Sequence, residues 1–183
     1  MQWEFDLLVA IQGMRTSWLD VFMAFMSNLG NAGACWMALS TLFLIIPKTR
    51  KIGLQMWISI AITFIVGNLI LKPLVNRARP CDNMAYQAII DTLVVERPHD
   101  ASFPSGHSMN AFTTAVALLL CDKRYGIPAI IVATIIAFSR LYNFMHFPTD
   151  VLAGIVIGTT FAILVHTIFV KKGWYVPTKK EAK

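Results

Sequence analysis

Residues 139–170 read SRLYNFMHFPTDVLAGIVIGTTFAILVHTIFV, and this stretch decides the kind of fold the chain adopts. From Asp150 to Val170 only apolar, small or hydroxylated residues follow one another, apart from His166. At about 1.5 Å of rise per residue, a helix of that run reaches across a ~30 Å hydrocarbon core. Pro148 suits the first turn of such a helix, and Asp150 complements the positive end of its dipole. The segment reads as a membrane helix whose polar head holds Arg140, His146 and Asp150.

The same pattern recurs outward along the chain. Apolar runs at 31–46, 52–72, 105–120, 127–142 and 150–170 predict about five transmembrane helices. The 183 residues are 56% hydrophobic and only 14% charged, more apolar than a soluble domain of this length can bury. The fold class expected is therefore an all-α integral membrane bundle, a single membrane-embedded domain over 1–183. Residues 1–29 predict two short amphipathic helices in the interface, each carrying a Trp suited to the headgroups, Trp3 and Trp18. The alternative, one oblique span from Phe5 to Leu29, would place Arg15 and Asp20 in mid-membrane. Glu4 and Asp6 stand where a signal peptide has its basic region, so this segment is expected to be retained.

The net charge of +6 comes from cations at segment ends and not from one soluble face, which argues against a nucleic-acid partner. Lys48, Arg50 and Lys51, then Lys123 and Arg124, then the basic tail 171–183 fall on one side if the spans alternate. The positive-inside tendency makes that side cytoplasmic. The polar clusters then lie on the extracytoplasmic side with the long connection from Cys81 to Phe103. Cys81 is expected to be open there to an impermeant thiol reagent and Cys121 closed to it. Cys35, Cys81 and Cys121 are too scattered for a metal knuckle or a disulfide framework. Gly154 and Gly158 form a G-x-x-x-G that suits close packing within the bundle and also permits a homodimer.

Three polar clusters cap the apolar runs. Lys72 and Arg79 are two helical turns apart and would project from one face if the helix continues, although Pro73 and Pro80 interrupt it. Phe103-Pro104-Ser105-Gly106-His107 leads into an apolar helix whose first-turn amides form an anion site. There Gly106 allows close backbone approach, the Ser105 hydroxyl can donate and His107 can reach a leaving oxygen. His146 and Asp150 are i, i+4; with Asp150 accepting from Nδ1, the Nε2 lone pair is free to face phosphorus. Asp82, Asp91, Glu96 and Asp100 are dispersed without the clustering a hard cation needs, so no metal is expected.

The sequences K-x6-RP (Lys72 to Pro80), PSGH (Pro104 to His107) and SR-x5-H-x3-D (Ser139 to Asp150) together resemble the three-part signature of the type 2 phosphatidic acid phosphatase family. The resemblance covers roughly residues 52 to 165. It implies a metal-free and cofactor-free membrane lipid phosphatase with a histidine nucleophile. By that resemblance His146 attacks phosphorus, Asp150 orients it and His107 protonates the leaving oxygen and later activates water. Lys72, Arg79, Ser105, Gly106 and Arg140 would hold the phosphate oxygens.

The small size resembles compact bacterial members, which favours undecaprenyl pyrophosphate as substrate, hydrolysed outside the cytoplasmic leaflet. Phosphatidylglycerol phosphate and phosphatidic acid are rivals, and a non-catalytic lipid-binding or transport protein is the alternative of another class. Arg77 lies off the face and spacing of the first cluster and reads as a headgroup contact or a bystander. Arg77, Arg97 or His99 would be the contacts for a second phosphate, and Arg97 and His99 otherwise face water. His166 reads as a packing histidine remote from the site.

Overall fold

The structure is a computed structural model describing residues 2–175; of the basic tail, 176–183 lie outside the described residues. The regular elements among the described residues are helical. They are α1 (Gln2–Gln12), α2 (Ser17–Leu29), α3 (Ala34–Ile45), α4 (Arg50–Phe64), α5 (Lys72–Val75), α6 (Gln87–Ile90), α7 (Gly106–Cys121), α8 (Lys123–Tyr142) and α9 (Pro148–Lys171). A π-helical stretch, Ile65–Leu71, joins α4 to α5. Helices stand at all five expected spans. The region beginning at Arg50, α8 and α9 are each long and apolar enough to cross a membrane.

Short α7 is the axis of the bundle, packed by α4, α8 and α9. Its small residues Ser108, Ala111 and Ala115 are fully buried, which lets neighbouring backbones approach closely. α9 meets it through the G-x-x-x-G pair. A Cβ on Gly154 would lie 2.6 Å from the Ser105 carbonyl oxygen, and one on Gly158 would lie 2.5 Å from that of Met109. Both glycines are spent on packing within the chain.

α2 and α3 are bent against each other by 44°, and together they are long and apolar enough to be one broken span or a re-entrant hairpin. The break at Asn31–Gly33 carries Ala32 at φ 50. The two charges that weigh against burying this region are paired. Arg15 grips Asp20 through Nε at 3.0 Å and Nη2 at 3.1 Å, and Tyr142 Oη donates to the same carboxylate at 2.6 Å. α1 lies across the end of the bundle where α7 and α9 begin. Its Leu8 is buried with Ile90, Phe144, Met145 and Phe147, and Phe5 stacks on Tyr86 at 4.6 Å. Cys81 sits inside this outer cap with no exposed surface, so the expected thiol accessibility is overturned: the apolar cap closes over it.

Candidate active site

A cavity of about 260 Å³ opens at this capped end, lined by all three polar clusters. The first does not reach it as one helical face. The helix stops at Val75 because Asn76 turns left-handed at φ 43, and Arg79 lies in extended backbone. The two cations still converge, for Lys72 pairs with the Asp100 carboxylate and Arg79 Nη2 with its other oxygen at 2.6 Å. Arg79 Nε also donates to the Asp100 carbonyl at 2.8 Å. Burial pushes the Asp100 carboxyl up, but hydrogen bonding and charge from Lys72 and Arg79 outweigh it and hold the pKa at about 2.

Arg140, in the last turn of α8, donates through Nη1 to Ser27 Oγ of α2, while its buried Nε has no hydrogen-bond partner among the described residues. Three cations against one carboxylate leave two positive charges, the complement of a phosphate dianion. Gly106 and His107 bring the start of α7 to the cavity, where first-turn amides have no place in the helical ladder. Ser105 is fully buried, and its Oγ caps α7, lying 3.0 Å from Ser108 Oγ and 3.5 Å from Ser108 N. Its side chain is therefore a helix cap and not a cavity donor, and Ser105 N donates to the Asp150 carbonyl at 3.0 Å.

His146 is 1% exposed and reaches the cavity from the connection between α8 and α9. Arg79 Nη1 lies 3.1 Å from His146 Nε2 and 2.8 Å from the Met145 carbonyl. A guanidinium only donates, so Nε2 carries the lone pair and Nδ1 the proton. The simple pair with Asp150 is not formed: Nδ1 to Asp150 Oδ2 is 3.8 Å, with Ser102 between them. Ser102 Oγ donates to Oδ2 at 2.5 Å and lies 3.4 Å from Nδ1. Phe147 N donates to Oδ2 at 2.9 Å, which completes the start of α9. Burial pushes the His146 pKa down to about 3, with the nearby Asp150 carboxylate opposing it and the Arg79 and Arg140 charges reinforcing it. The ring is neutral at neutral pH.

His107 is held differently. Its half-buried ring faces Asn31 at the break between α2 and α3, with Nε2 3.0 Å from Asn31 Oδ1. Asn68 and Asn110 also line the cavity. Asn110 is one turn past His107 on the same face of α7 and was legible from that spacing; Asn31, Asn68, Asp100 and Ser102 carried no comparable signal.

Arg77 is neither a headgroup contact nor a bystander. Nη1 donates to Asp150 Oδ1 at 2.5 Å and Nη2 to Glu4 Oε2 at 2.6 Å, with the guanidinium 4.1 Å from the Phe147 ring centre. Arg97 Nη2 donates to the Cys81 carbonyl at 2.6 Å, and His99 is exposed. None of these three lines the cavity, so the expected contacts for a second phosphate are not there. His166 faces Gln55 at 2.9 Å and Cys121 at 3.7 Å, at the far end of the bundle.

A buried imidazole that keeps its lone pair on Nε2, a surplus of fixed cations and a second histidine across one cavity define a phosphoryl-transfer type of site in a membrane helical bundle. The model of the PAP2 superfamily matches residues 52–174, and the chain belongs to that family of phosphatases. It is 33% identical to an undecaprenyl-diphosphatase of Sulfolobus acidocaldarius over 87% of this chain and 75% of that protein. It is 28% identical to the undecaprenyl-diphosphatase BcrC of Bacillus subtilis over 88% and 81%. The crystal structure of a transmembrane PAP2-type phosphatidylglycerolphosphate phosphatase from Bacillus subtilis matches with a TM-score of 0.74 and 26% identity, covering 93% of this chain and 86% of that one. The protein is a multi-pass membrane lipid phosphatase.

Proposed function

We propose that the chain hydrolyses the terminal phosphate of a polyprenyl pyrophosphate, undecaprenyl pyrophosphate above the rest, through a phosphohistidine on His146. The observation that carries this is the disposition of His146 Nε2, Arg79 and His107 around one cavity. The Nε2 lone pair attacks phosphorus, the bond to the bridging oxygen breaks, and the proton on His107 passes to that oxygen. Lys72, Arg79, Arg140 and the first-turn amides at Gly106 and His107 hold the remaining oxygens, with Arg79 moving its Nη1 donor from Nε2 to phosphate. Water, deprotonated by His107, then cleaves the phosphorus–nitrogen bond, releasing phosphate and restoring His146.

The lipid reading is supported by an apolar cavity of about 290 Å³ between α3 and α4. Trp36, Met37, Trp57 and Ile60 line it, and it shares Ala32, Gly33, Phe64 and Asn110 with the polar cavity. A tail in the first cavity presents its phosphate in the second. The polyprenyl choice is supported by what the two undecaprenyl-diphosphatase relatives act on, and phosphatidylglycerol phosphate is the second reading because of the solved relative. In detergent, kcat/KM for undecaprenyl pyrophosphate is expected to exceed that for phosphatidylglycerol phosphate and phosphatidic acid by about tenfold or more, because its leaving group is a phosphate and theirs an alcohol. The reverse order would overturn the substrate and leave the phosphatase.

The site is proposed to face away from the cytoplasm, because exposed Lys48, Arg50, Lys51, Lys123, Arg124, Lys171 and Lys172 gather at the opposite end. Buried Cys81 cannot report this. In a background without native cysteines, Met84→Cys is expected to react with an impermeant thiol reagent on intact cells and Arg124→Cys is not; the converse pattern would invert the topology.

A further inference from the structure

Glu4 and Asp150 both have no exposed surface, and they flank one guanidinium, that of Arg77, at 2.6 and 2.5 Å. Thr149 closes the chain: its Oγ1 accepts from Arg77 at 2.7 Å and donates to Glu4 Oε1 at 2.6 Å. Glu4, on the first helix and 146 positions from Asp150, is thus joined to it through Arg77 and Thr149, and a buried carboxylate is costly to desolvate unless paired in this way.

We infer that Glu4 and Arg77 are positioning residues for the nucleophile, Arg77 fixing Asp150 and Glu4 restoring the negative charge that Arg77 cancels. The inference rests on His146 being the nucleophile. When Nε2 gains phosphorus while Nδ1 keeps its proton, the ring becomes cationic with almost no access to water. On the Nε2 side the phosphoryl oxygens offset that charge, but Lys72, Arg79 and Arg140 already hold them; on the Nδ1 side the counter-charge comes from the protein. Asp150 is the nearest carboxylate, yet with Arg77 on Oδ1 that pair is neutral. Adding Glu4 makes the chain of three net −1, which matches the one positive charge that forms. Arg77 in return fixes Oδ1, so that Oδ2 stays aimed at Ser102 and Nδ1. The other charged or titratable groups that share the cavity with His146 are Lys72, Arg79, Arg140 and His107, which carry no negative charge, and Asp100, whose carboxylate is already held by Lys72 and Arg79.

Glu4→Gln, Arg77→Gln and the double variant of the full chain, purified in detergent, are to be compared by rapid quench with farnesyl pyrophosphate as the probe. Glu4→Gln is expected to slow phosphoenzyme formation about tenfold with KM within about twofold, and to weaken inhibition by vanadate in parallel. Arg77→Gln is expected to slow it as well, and Arg77→Lys to recover part of that loss. The double variant, again net −1, should lose less than the product of the two single losses. A Glu4→Gln protein that phosphorylates at the wild-type rate, or two losses that simply multiply, would overturn the inference. Should Arg77→Gln fail to fold, Glu4→Gln alone decides between a slowed and an unchanged rate. Wild-type protein that forms no phosphoenzyme would instead remove the histidine mechanism itself, and the inference with it.

Discussion

His146 and His107 face one cavity from two differently built walls. His146 is almost wholly enclosed, with Arg79 at Nε2, and with Ser102 of the loop before α7 and Asp150 of the first turn of α9 behind Nδ1. His107 is half-buried, and Asn31, at the break between α2 and α3, is the partner of its Nε2. The nucleophile must keep one tautomer and one direction, which a rigid polar shell enforces. An acid that later becomes a base must exchange protons with substrate and water, and a half-open wall beside a helix break allows that.

The largest expected effect breaks the enclosed wall. His146→Ala should lower kcat by about 10⁴-fold or more, whereas His107→Ala on a pyrophosphate should lower it by about 10²–10³-fold, because the departing phosphate is already a good leaving group. Equal losses would erase the distinction between the walls. Phosphate release from purified variants of matched thermal stability measures both.

A smaller effect concerns the carboxylate that occupies the cation cradle. Asp100 stays ionised at every working pH and competes with phosphate for Lys72 and Arg79. Asp100→Asn keeps the backbone carbonyl on Arg79 Nε and should tighten vanadate inhibition about three- to tenfold. Weaker inhibition would mean that Asp100 organises the cradle instead of occupying it.

The smallest effect is on stability. Because burial lowers the folded pKa of His146 to about 3, the unfolded chain takes up a proton near 6.5 that the folded chain refuses. The contribution is fully present above about 6.5 and is lost as pH falls from there toward 3. His146→Asn should flatten the fall in Tm between pH 7 and pH 5, and an unchanged slope would place the ring in a wetter setting.

Much of this is legible in the sequence. The apolar runs fixed the five helical segments to within a few residues, because burial in lipid leaves a one-dimensional signature. The three motifs brought Lys72, Arg79, Gly106, His107, Arg140 and His146 to one cavity. The failures were long-range or conformational. Left-handed Asn76 ended the helix between Lys72 and Arg79. Glu4 meets Arg77 across 73 positions, a contact that leaves no periodic trace in the sequence. Ser102, Asp100 and Asn31 sit in loops or breaks, where side-chain direction is set by tertiary packing and not by spacing.

The central claim is covalent, and one measurement meets it directly. Wild-type protein quenched during turnover of pyrophosphate labelled in its terminal phosphate should carry label that is stable to alkali, labile to acid, and located by peptide mapping on His146, with none on His146→Ala. Label on another residue, or turnover without any labelled protein at saturating substrate and low temperature, would contradict the account.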